Sequence, residues 1–469
     1  MGNSRILAIA INIYLLKMSR SISILGAGLV GSVLSVLLRK KGYEVTIYER
    51  RSDLRTATIG AGRSINLAMS TRGWKALELA GLREAIEAIA IPMTGRYLHQ
   101  QDGTAAFQPY GKNGEAIYSV SRGELNKKLM DLAEENGVKI LFNQTCDQVD
   151  LQQNIIHLTD QEGKKHTVSC DLLLGADGAF SALRKSMILQ DRTDYQQFYI
   201  NSGYKELCIP PNPEGTFQME KNALHIWPRH NFMMIGLPNT DGSFTCTLFF
   251  PFEGKPSFKS IQSDEEIMSF FGEHFPDAIP LMPTLLEDYK NNPTSSLVTV
   301  KMYPWAYEDK ACLIGDAAHA IVPFYGQGMN AGFEDCSELY ALLDRHGDDW
   351  ETVLQAFQAN RKPNADAVAE LALNNFIEMR DKVADPKFLE RKKIEKDLGI
   401  RYAGRFNSVY EMVSFSHTPY AFAWNAMAAQ DWLLTQIMNA GDYFTNIEQA
   451  SFLKDLDTWI GTYEQKVNG

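Results

Sequence analysis

The chain is poor in paired cysteines, in basic charge and in long apolar runs, and each shortage removes a class of protein. Its six cysteines, Cys146, Cys170, Cys208, Cys246, Cys312 and Cys336, are scattered and form no C-x-x-C pair. That pattern offers neither a zinc ribbon nor a dithiol redox centre, and points instead to buried free thiols in a reducing cytoplasm. The nine histidines include no H-E-x-x-H, so no catalytic metal is expected. Acidic residues outnumber basic ones by 57 to 46, a net charge of -11. A nucleic-acid binder would carry a basic patch, so no such partner is expected. No stretch has the length and apolar character of a membrane span. The apolar run over 6–16 is too short to span, and no small-residue cleavage site follows it. Met18 stands directly before the first strand, so residues 1–18 read as a dispensable extension.

What is present is an ordinary globular composition, 45% apolar and 22% charged, over 469 residues. That length suits two or three domains with cores of their own. The stretch 21–51 organises the rest. Ile22, Ile24 and Leu25 form the apolar run of a buried parallel strand. Gly26-Ala27-Gly28-Leu29-Val30-Gly31 follows with G-x-G-x-x-G spacing. Gly26 permits the tight turn, Gly28 lets a pyrophosphate approach the backbone, and Gly31 lets helix pack on strand. A helix over 32–41 ends at Gly42, and Val45-Thr46-Ile47-Tyr48 forms a second strand closed by Glu49. A carboxylate there can accept hydrogen bonds from a ribose diol. A bare glycine pattern is weak, but strand, helix, strand and acid in this order point to a dinucleotide site.

Further along, a helical spacing runs over 74–90. Arg96 to His99 and Phe107 to Tyr110 look like two strands joined by a Gln101-Asp102-Gly103 turn. A helix over 123–136 is capped by Gly137. Cys170-Asp171-Leu172-Leu173-Leu174-Gly175-Ala176-Asp177-Gly178 is a second signature, an apolar strand ending in Asp-Gly. It could be a plain strand-to-helix turn, or Asp177 could orient a pyrophosphate site and touch Arg63 or Arg122. Residues 191–300 read as an antiparallel sheet with one polar and one apolar face. A third signature follows, Ala311-Cys312-Leu313-Ile314-Gly315-Asp316, with Gly326 and Gly328 shortly before a long helix. Asp316 could bind ribityl hydroxyls, and the glycines would let backbone N–H groups reach a flavin or phosphate. From Val353 onward the chain is mostly helical.

Together these signatures resemble the FAD-dependent aromatic hydroxylases of the p-hydroxybenzoate hydroxylase fold. The stretches Arg63-Ser64-Ile65-Asn66-Leu67-Ala68, Leu224-His225-Ile226-Trp227-Pro228, Phe244-Thr245-Cys246-Thr247-Leu248-Phe249 and 321–333 sharpen the resemblance to the kynurenine 3-monooxygenase family. It extends from Ser21 to about Tyr420. The implied fold is α/β: a Rossmann-like FAD-binding domain (19–190 and 301–375), an inserted antiparallel β-sheet substrate domain (191–300) and a C-terminal helical region (376–469). The resemblance implies FAD contacts at Val30, Tyr48, Glu49, Arg50, Arg51, Ala68, Arg122, Cys146, Asp316, Met329 and Asn330. It implies a substrate pocket with Arg96, Tyr110, Asn375 and Tyr410 at the polar end and Leu224, Phe249, Phe324 and Met379 along the walls. Read without the resemblance, Arg96 could be a surface arginine, and Leu224 and Phe249 plain core.

The implied activity is NADPH- and O2-dependent hydroxylation of L-kynurenine to 3-hydroxykynurenine through a flavin C4a-hydroperoxide, in tryptophan degradation and NAD biosynthesis. A hydroxylase of another aromatic acid and a flavin-binding regulator without turnover are the alternatives. Two departures from the family stand out. Tyr325 occupies a position where members carry His or Phe. The stretch 421–469 is too polar for the membrane anchor that ends the eukaryotic members.

Overall fold

Leu172, Leu173 and Leu174 are fully buried at the middle of the first sheet. Each such leucine contributes roughly 1.5–3 kcal/mol by leaving water. The computed structural model describes residues 20–56, 65–111, 114–378 and 386–468. In it the first sheet has six strands, in the order Ala306–Tyr307, Ala311–Leu313, Leu172–Gly175, Ser21–Leu25, Glu44–Tyr48 and Lys139–Leu141. All pair in parallel except the first two. Buried within the sheet, Leu172–Gly175 and Ala311–Leu313 read as continuous apolar runs rather than as alternation.

The register decides where the signatures emerge. Leu25 is level with Tyr48 on one side and Gly175 on the other, and Gly175 is level with Leu313. The residues that follow, Gly26, Glu49, Asp177 and Asp316, therefore leave the sheet along one carboxyl edge, where doubly wound sheets bind their ligands. The helices Leu29–Lys40, Thr71–Ala80 and Gly328–His346 pack together beside this edge. The helical spacing over 74–90 resolves into two helices, Thr71–Ala80 and Arg83–Glu87. Gly81 between them has φ +76°, a left-handed stop.

The second sheet has seven strands, in the order Ser295–Tyr303, Asp194–Ile209, Phe244–Pro251, Phe232–Pro238, Ala223–Arg229, Gly95–His99 and Ala105–Pro109. Two expectations change here. The sheet reaches beyond 191–300, because the hairpin Gly95–His99/Ala105–Pro109 joins it through a parallel seam on Ala223–Arg229. The expected polar face is also not found in the central strands, which are buried on both sides. One face packs Trp227, Phe244 and Phe250 against the helices Asp264–His274 and Leu285–Asn291. The other turns Leu224, Met233, Ile235 and Phe249 toward the rest of the protein. Alternation between apolar and polar cannot be read from strands covered twice.

The 28-residue helix Trp350–Ile377 leads into the C-terminal helices Pro386–Arg401, Val409–Ser414, Tyr420–Asn439 and Ala450–Asn468. Leu398, Leu433, Leu434, Leu456 and Ile460 give them a core of their own. Ser408 and Glu411 close a capping box that starts Val409–Ser414 just before Tyr410. Among the described residues no helix is long and apolar enough to cross a membrane.

Candidate active site

Gly26 adopts φ +96°, and a Cβ there would lie 2.7 Å from the carbonyl oxygen of Ala176. A Cβ on Gly31 would sit 2.1 Å from the Gly26 oxygen, so only glycine lets the helix Leu29–Lys40 approach the strand. A Cβ on Gly28, by contrast, would meet nothing within 4 Å, so the space before the helix is open. No side chain caps that helix. Its first N–H groups and the positive end of its dipole face this space, which suits an anion.

Glu49 is 4% exposed and accepts hydrogen bonds from the Ala27 N–H at 2.8 Å, the Arg51 N–H at 2.9 Å and Arg51 Nε at 2.7 Å. Burial pushes the Glu49 carboxyl up, but the bonds from Arg51 and Ala27 outweigh it, and the group sits below its ordinary range. Glu49 thus stays ionised and locks the glycine turn. Arg50 and Arg51 lie exposed beside it, while Tyr48 is buried.

Of the two arginines suggested for Asp177, only Arg122 falls among the described residues, and the two form no ion pair. Arg63 lies outside the described residues, and Asp177 Oδ2 accepts the Ala182 N–H at 2.6 Å. Among the described residues its Oδ1 is buried without a partner, and burial pushes the carboxyl up. Cys146 lies close by; burial first, then the charge of Asp177, pushes its thiol up to about 12. Arg122 is exposed at the first turn of Arg122–Glu135.

Val30 joins the first signature to the third. A Cβ on Gly315 would come within 3.1 Å of it, and one on Gly332 within 2.6 Å. Gly315, at φ +61°, aims Asp316 outward as the first residue of Asp316–His319, where its carboxylate is exposed. Asn330 is already engaged. Its amide donates to the carbonyls of Ala68 and Gly326, 2.8 Å each, and accepts the Ser70 N–H at 2.8 Å. It therefore shapes the glycine loop through its side chain, with Met329 buried beside it. An uncapped helix N-terminus, an orphaned buried carboxylate oxygen and an exposed carboxylate along one edge fit a dinucleotide carrying a pyrophosphate and a polyol.

A second region lies between the seven-stranded sheet and the C-terminal helices. The Arg96 guanidinium is 5.3 Å from the Tyr110 ring and 5.1 Å from the Tyr410 ring. Tyr110 and Tyr410 stack at 5.5 Å, and Tyr325 stacks on the far side of the group at 5.8 Å from Tyr410. Among the described residues no carboxylate pairs with Arg96. Among the described residues the Tyr110 hydroxyl is buried without a partner. Desolvation raises the hydroxyl pKa of Tyr110, Tyr325 and Tyr410, so all three remain phenols.

The apolar wall is aromatic. Phe324 stacks on Phe376 at 4.1 Å and leans on Phe249 at 4.9 Å. Asn375 donates to the Phe324 carbonyl at 2.7 Å and braces that wall. Leu224 packs with Tyr110, Tyr410 and Phe415. Met379 lies outside the described residues. Sequence reasoning missed Phe415 and Phe376, which carry no motif, and left Tyr325 without a role.

A family model described as an FAD binding domain matches residues 20–372. A kynurenine 3-monooxygenase from Flavobacterium psychrophilum is 48% identical over 434 residues, covering 92% of this chain and 97% of that protein. One from Dictyostelium discoideum is 47% identical, covering 92% and 96%. The chain belongs to the kynurenine 3-monooxygenase family. FAD is therefore the cofactor of this chain. Solved structures agree on the fold. The tetrameric form of 2-methyl-3-hydroxypyridine-5-carboxylic acid oxygenase superposes with a TM-score of 0.64 at 22% identity, covering 79% of this chain and 95% of that one. A tetracycline destructase superposes at 0.59 with 17% identity, covering 86% and 99%.

Proposed function

We propose that the protein hydroxylates L-kynurenine to 3-hydroxykynurenine, with FAD bound and NADPH and O2 as co-substrates. The observation that carries the substrate reading is Arg96, a half-buried guanidinium boxed by Tyr110 and Tyr410 with no carboxylate partner among the described residues. An aromatic substrate with a carboxylate at its far end supplies what that box lacks. Bound FAD supplies the redox and oxygen-transfer chemistry.

The protein's own residues bind and orient. Arg96 offers two parallel N–H bonds to the α-carboxylate, and the Tyr110 hydroxyl adds a third. Tyr410, held against Tyr325, keeps the guanidinium in plane. Leu224, Phe249 and Phe324 hold the aniline ring and exclude water, with Asn375 fixing Phe324 in place. At the carboxyl edge Gly26, Gly28, Val30 and Gly31 receive the pyrophosphate at the helix N-terminus. Glu49, Arg50, Arg51, Tyr48 and Cys146 surround the adenosine end. Asp316, Ala68, Arg122, Met329 and Asn330 take the ribityl and ring end, and Asp177 steadies the loop between. Six free thiols support a reducing, cytoplasmic setting, and the net charge of -11 supports a small-molecule partner over nucleic acid. The test is NADPH oxidation and product formation across a panel of aromatic amino acids and acids. Kynurenine should be the best substrate and the most tightly coupled. A carboxylic acid lacking the α-amino acid end that outperforms it would move the assignment to another aromatic acid.

A further inference from the structure

The strand bearing Arg96 meets the seven-stranded sheet along one parallel seam, with Gly95 to Leu98 level with Ala223 to Ile226. Its outer neighbour, Ala105–Pro109, is mostly exposed. Side chains alternate along a strand, so Arg96 faces the pocket while Tyr97 and His99 face the rear. There Tyr97 stacks on His225 at 5.6 Å and His99 on Trp227 at 4.1 Å.

A polar chain runs through these rings. Asp277 Oδ2 lies 2.8 Å from His99 Nδ1, and His99 Nε2 lies 2.9 Å from His225 Nδ1. His225 Nε2 lies 2.8 Å from the Glu220 carbonyl, and the Trp227 indole N–H donates to the same Asp277 oxygen at 2.9 Å. The partners assign the protons. A carbonyl only accepts, so His225 Nε2 carries hydrogen and its Nδ1 is the acceptor of a neutral ring. His99 must then donate through Nε2. A carboxylate also only accepts, so His99 Nδ1 carries hydrogen as well. His99 is an imidazolium between a carboxylate and a neutral imidazole. Burial opposes ionisation of Asp277, but the bonds from His99 and Trp227 outweigh it. Burial pushes His225 down to about 4, which keeps its ring neutral at neutral pH. The other charged or titratable side chains here are Tyr97, Glu220, whose charge acts on His225, Arg229, which donates to the His99 carbonyl at 2.8 Å, and His274, whose carbonyl Arg229 also bonds.

We propose that the Asp277–His99–His225 chain is a positioning device for Arg96, fixing from the rear of the sheet where the guanidinium meets the substrate carboxylate. This rests on Arg96 being the substrate anchor. The hairpin otherwise meets the sheet along one seam at its edge, with Arg229 bonding the His99 carbonyl. Donation in the chain runs outward from His99, to Asp277 on one side and to His225 on the other. The chain fixes the residue three positions beyond Arg96 both to the neighbouring strand and to the segment after Asp264–His274. A bidentate pairing tolerates little displacement, because both N–H groups of the fork must meet the carboxylate together.

The test is a double-mutant cycle on the FAD-loaded enzyme. Asp277→Asn keeps the shape. However, an amide cannot hold the ionised His99 and the Trp227 N–H at one oxygen without losing a link or leaving a charge uncompensated. His99→Phe keeps the stack and removes both links made by the His99 ring. Each should leave FAD content unchanged and weaken kynurenine binding about tenfold, the scale of coupling between contacting residues. Binding is read from the perturbation of flavin absorbance, and kcat at saturation should change far less. Neither variant should add to the loss caused by Arg96→Met. If Arg96→Met itself binds kynurenine like the wild type, the anchor reading fails. If Arg96→Met weakens binding but the other two do not, or their losses multiply with it, the anchor stands and the positioning proposal is overturned. Nitrogen-resolved NMR of the His99 ring should show both nitrogens protonated at neutral pH. A singly protonated ring would also overturn the proposal. Should His99→Phe fail to fold, the Asp277→Asn cycle and the ring spectrum decide.

Discussion

The carboxylate of Asp335 accepts the backbone N–H of Gly315 at 3.0 Å, immediately before the exposed Asp316. The same carboxylate meets His319 Nε2 at 2.6 Å and Arg361 Nε at 2.7 Å. Arg361 also bonds Glu334 at 2.7 Å, and Glu334 is bonded from the other side by Arg72. Arg72 in turn donates to the carbonyls of Met412 and Val413, each at 3.2 Å, and of Thr418. A run of buried, mutually paired charges therefore ties the turn that presents Asp316 to the segment that presents Tyr410 and Phe415.

Removing Arg72 should be costly, because Glu334 would keep one partner where it now has two, and three carbonyls would lose a donor. Arg72→Leu should destabilise the protein by about 3 kcal/mol. Urea unfolding measures this. Arg72→Lys should recover little, since an ammonium cannot reproduce the fork. A variant as stable as the wild type would show that the C-terminal segment is held by packing alone.

Tyr110 should respond with opposite signs in stability and in binding. Its hydroxyl is buried without a partner among the described residues, and leaving such a group unsatisfied costs about 1–3 kcal/mol. Tyr110→Phe should therefore melt no lower than the wild type without substrate, and should bind kynurenine more weakly. Thermal melts with and without kynurenine measure both. A variant less stable alone would mean that the hydroxyl already has a bound partner.

Arg96→Met removes a charge-assisted bond worth roughly 1.5–3 kcal/mol. Kynurenine affinity should fall about ten- to a hundredfold, with FAD content unchanged. Kynuramine, which lacks the carboxylate, should be a poor substrate of the wild type and should lose little more in the variant. Equal turnover of kynuramine and kynurenine by the wild type would remove Arg96 as the anchor.

Asp316 is exposed on the first turn of its short helix and bears no structural bond among the described residues. Asp316→Ala should fold normally and purify with much less FAD. Flavin absorbance per protein measures the ratio, and full occupancy would count against a ribityl contact.

Glu49 sets an acid limb on stability. Its folded carboxyl lies below the ordinary value of 4.5, so the unfolded chain binds the proton more readily. The stabilisation is complete above that value and is lost as pH falls through the depressed folded one. Glu49→Gln should be less stable at neutral pH and should flatten the acid limb. Unfolding curves from neutral to acid pH check the slope, and parallel curves for the two proteins would sink the assignment.

The local chemistry of the cofactor edge was legible in the sequence because its requirements are local. Gly26 needs a positive φ and Gly31 a missing Cβ, each within one turn of chain, and three apolar runs had to be buried parallel strands. The resemblance to the hydroxylases rested on those same stretches. The substrate end was not legible in this way. Whether Arg96 is an anchor or a surface arginine depends on which carboxylates surround it, and no local pattern reports that. Tyr410 and Phe415 reach it from the far end of the chain, placed by Arg72 and the capping box at Ser408. The sheet over 191–300 looked half-exposed because alternation records only what a strand meets nearby. Its second face is covered by residues 324 and 376, far along the chain, so the closed pocket is a property of the tertiary structure alone.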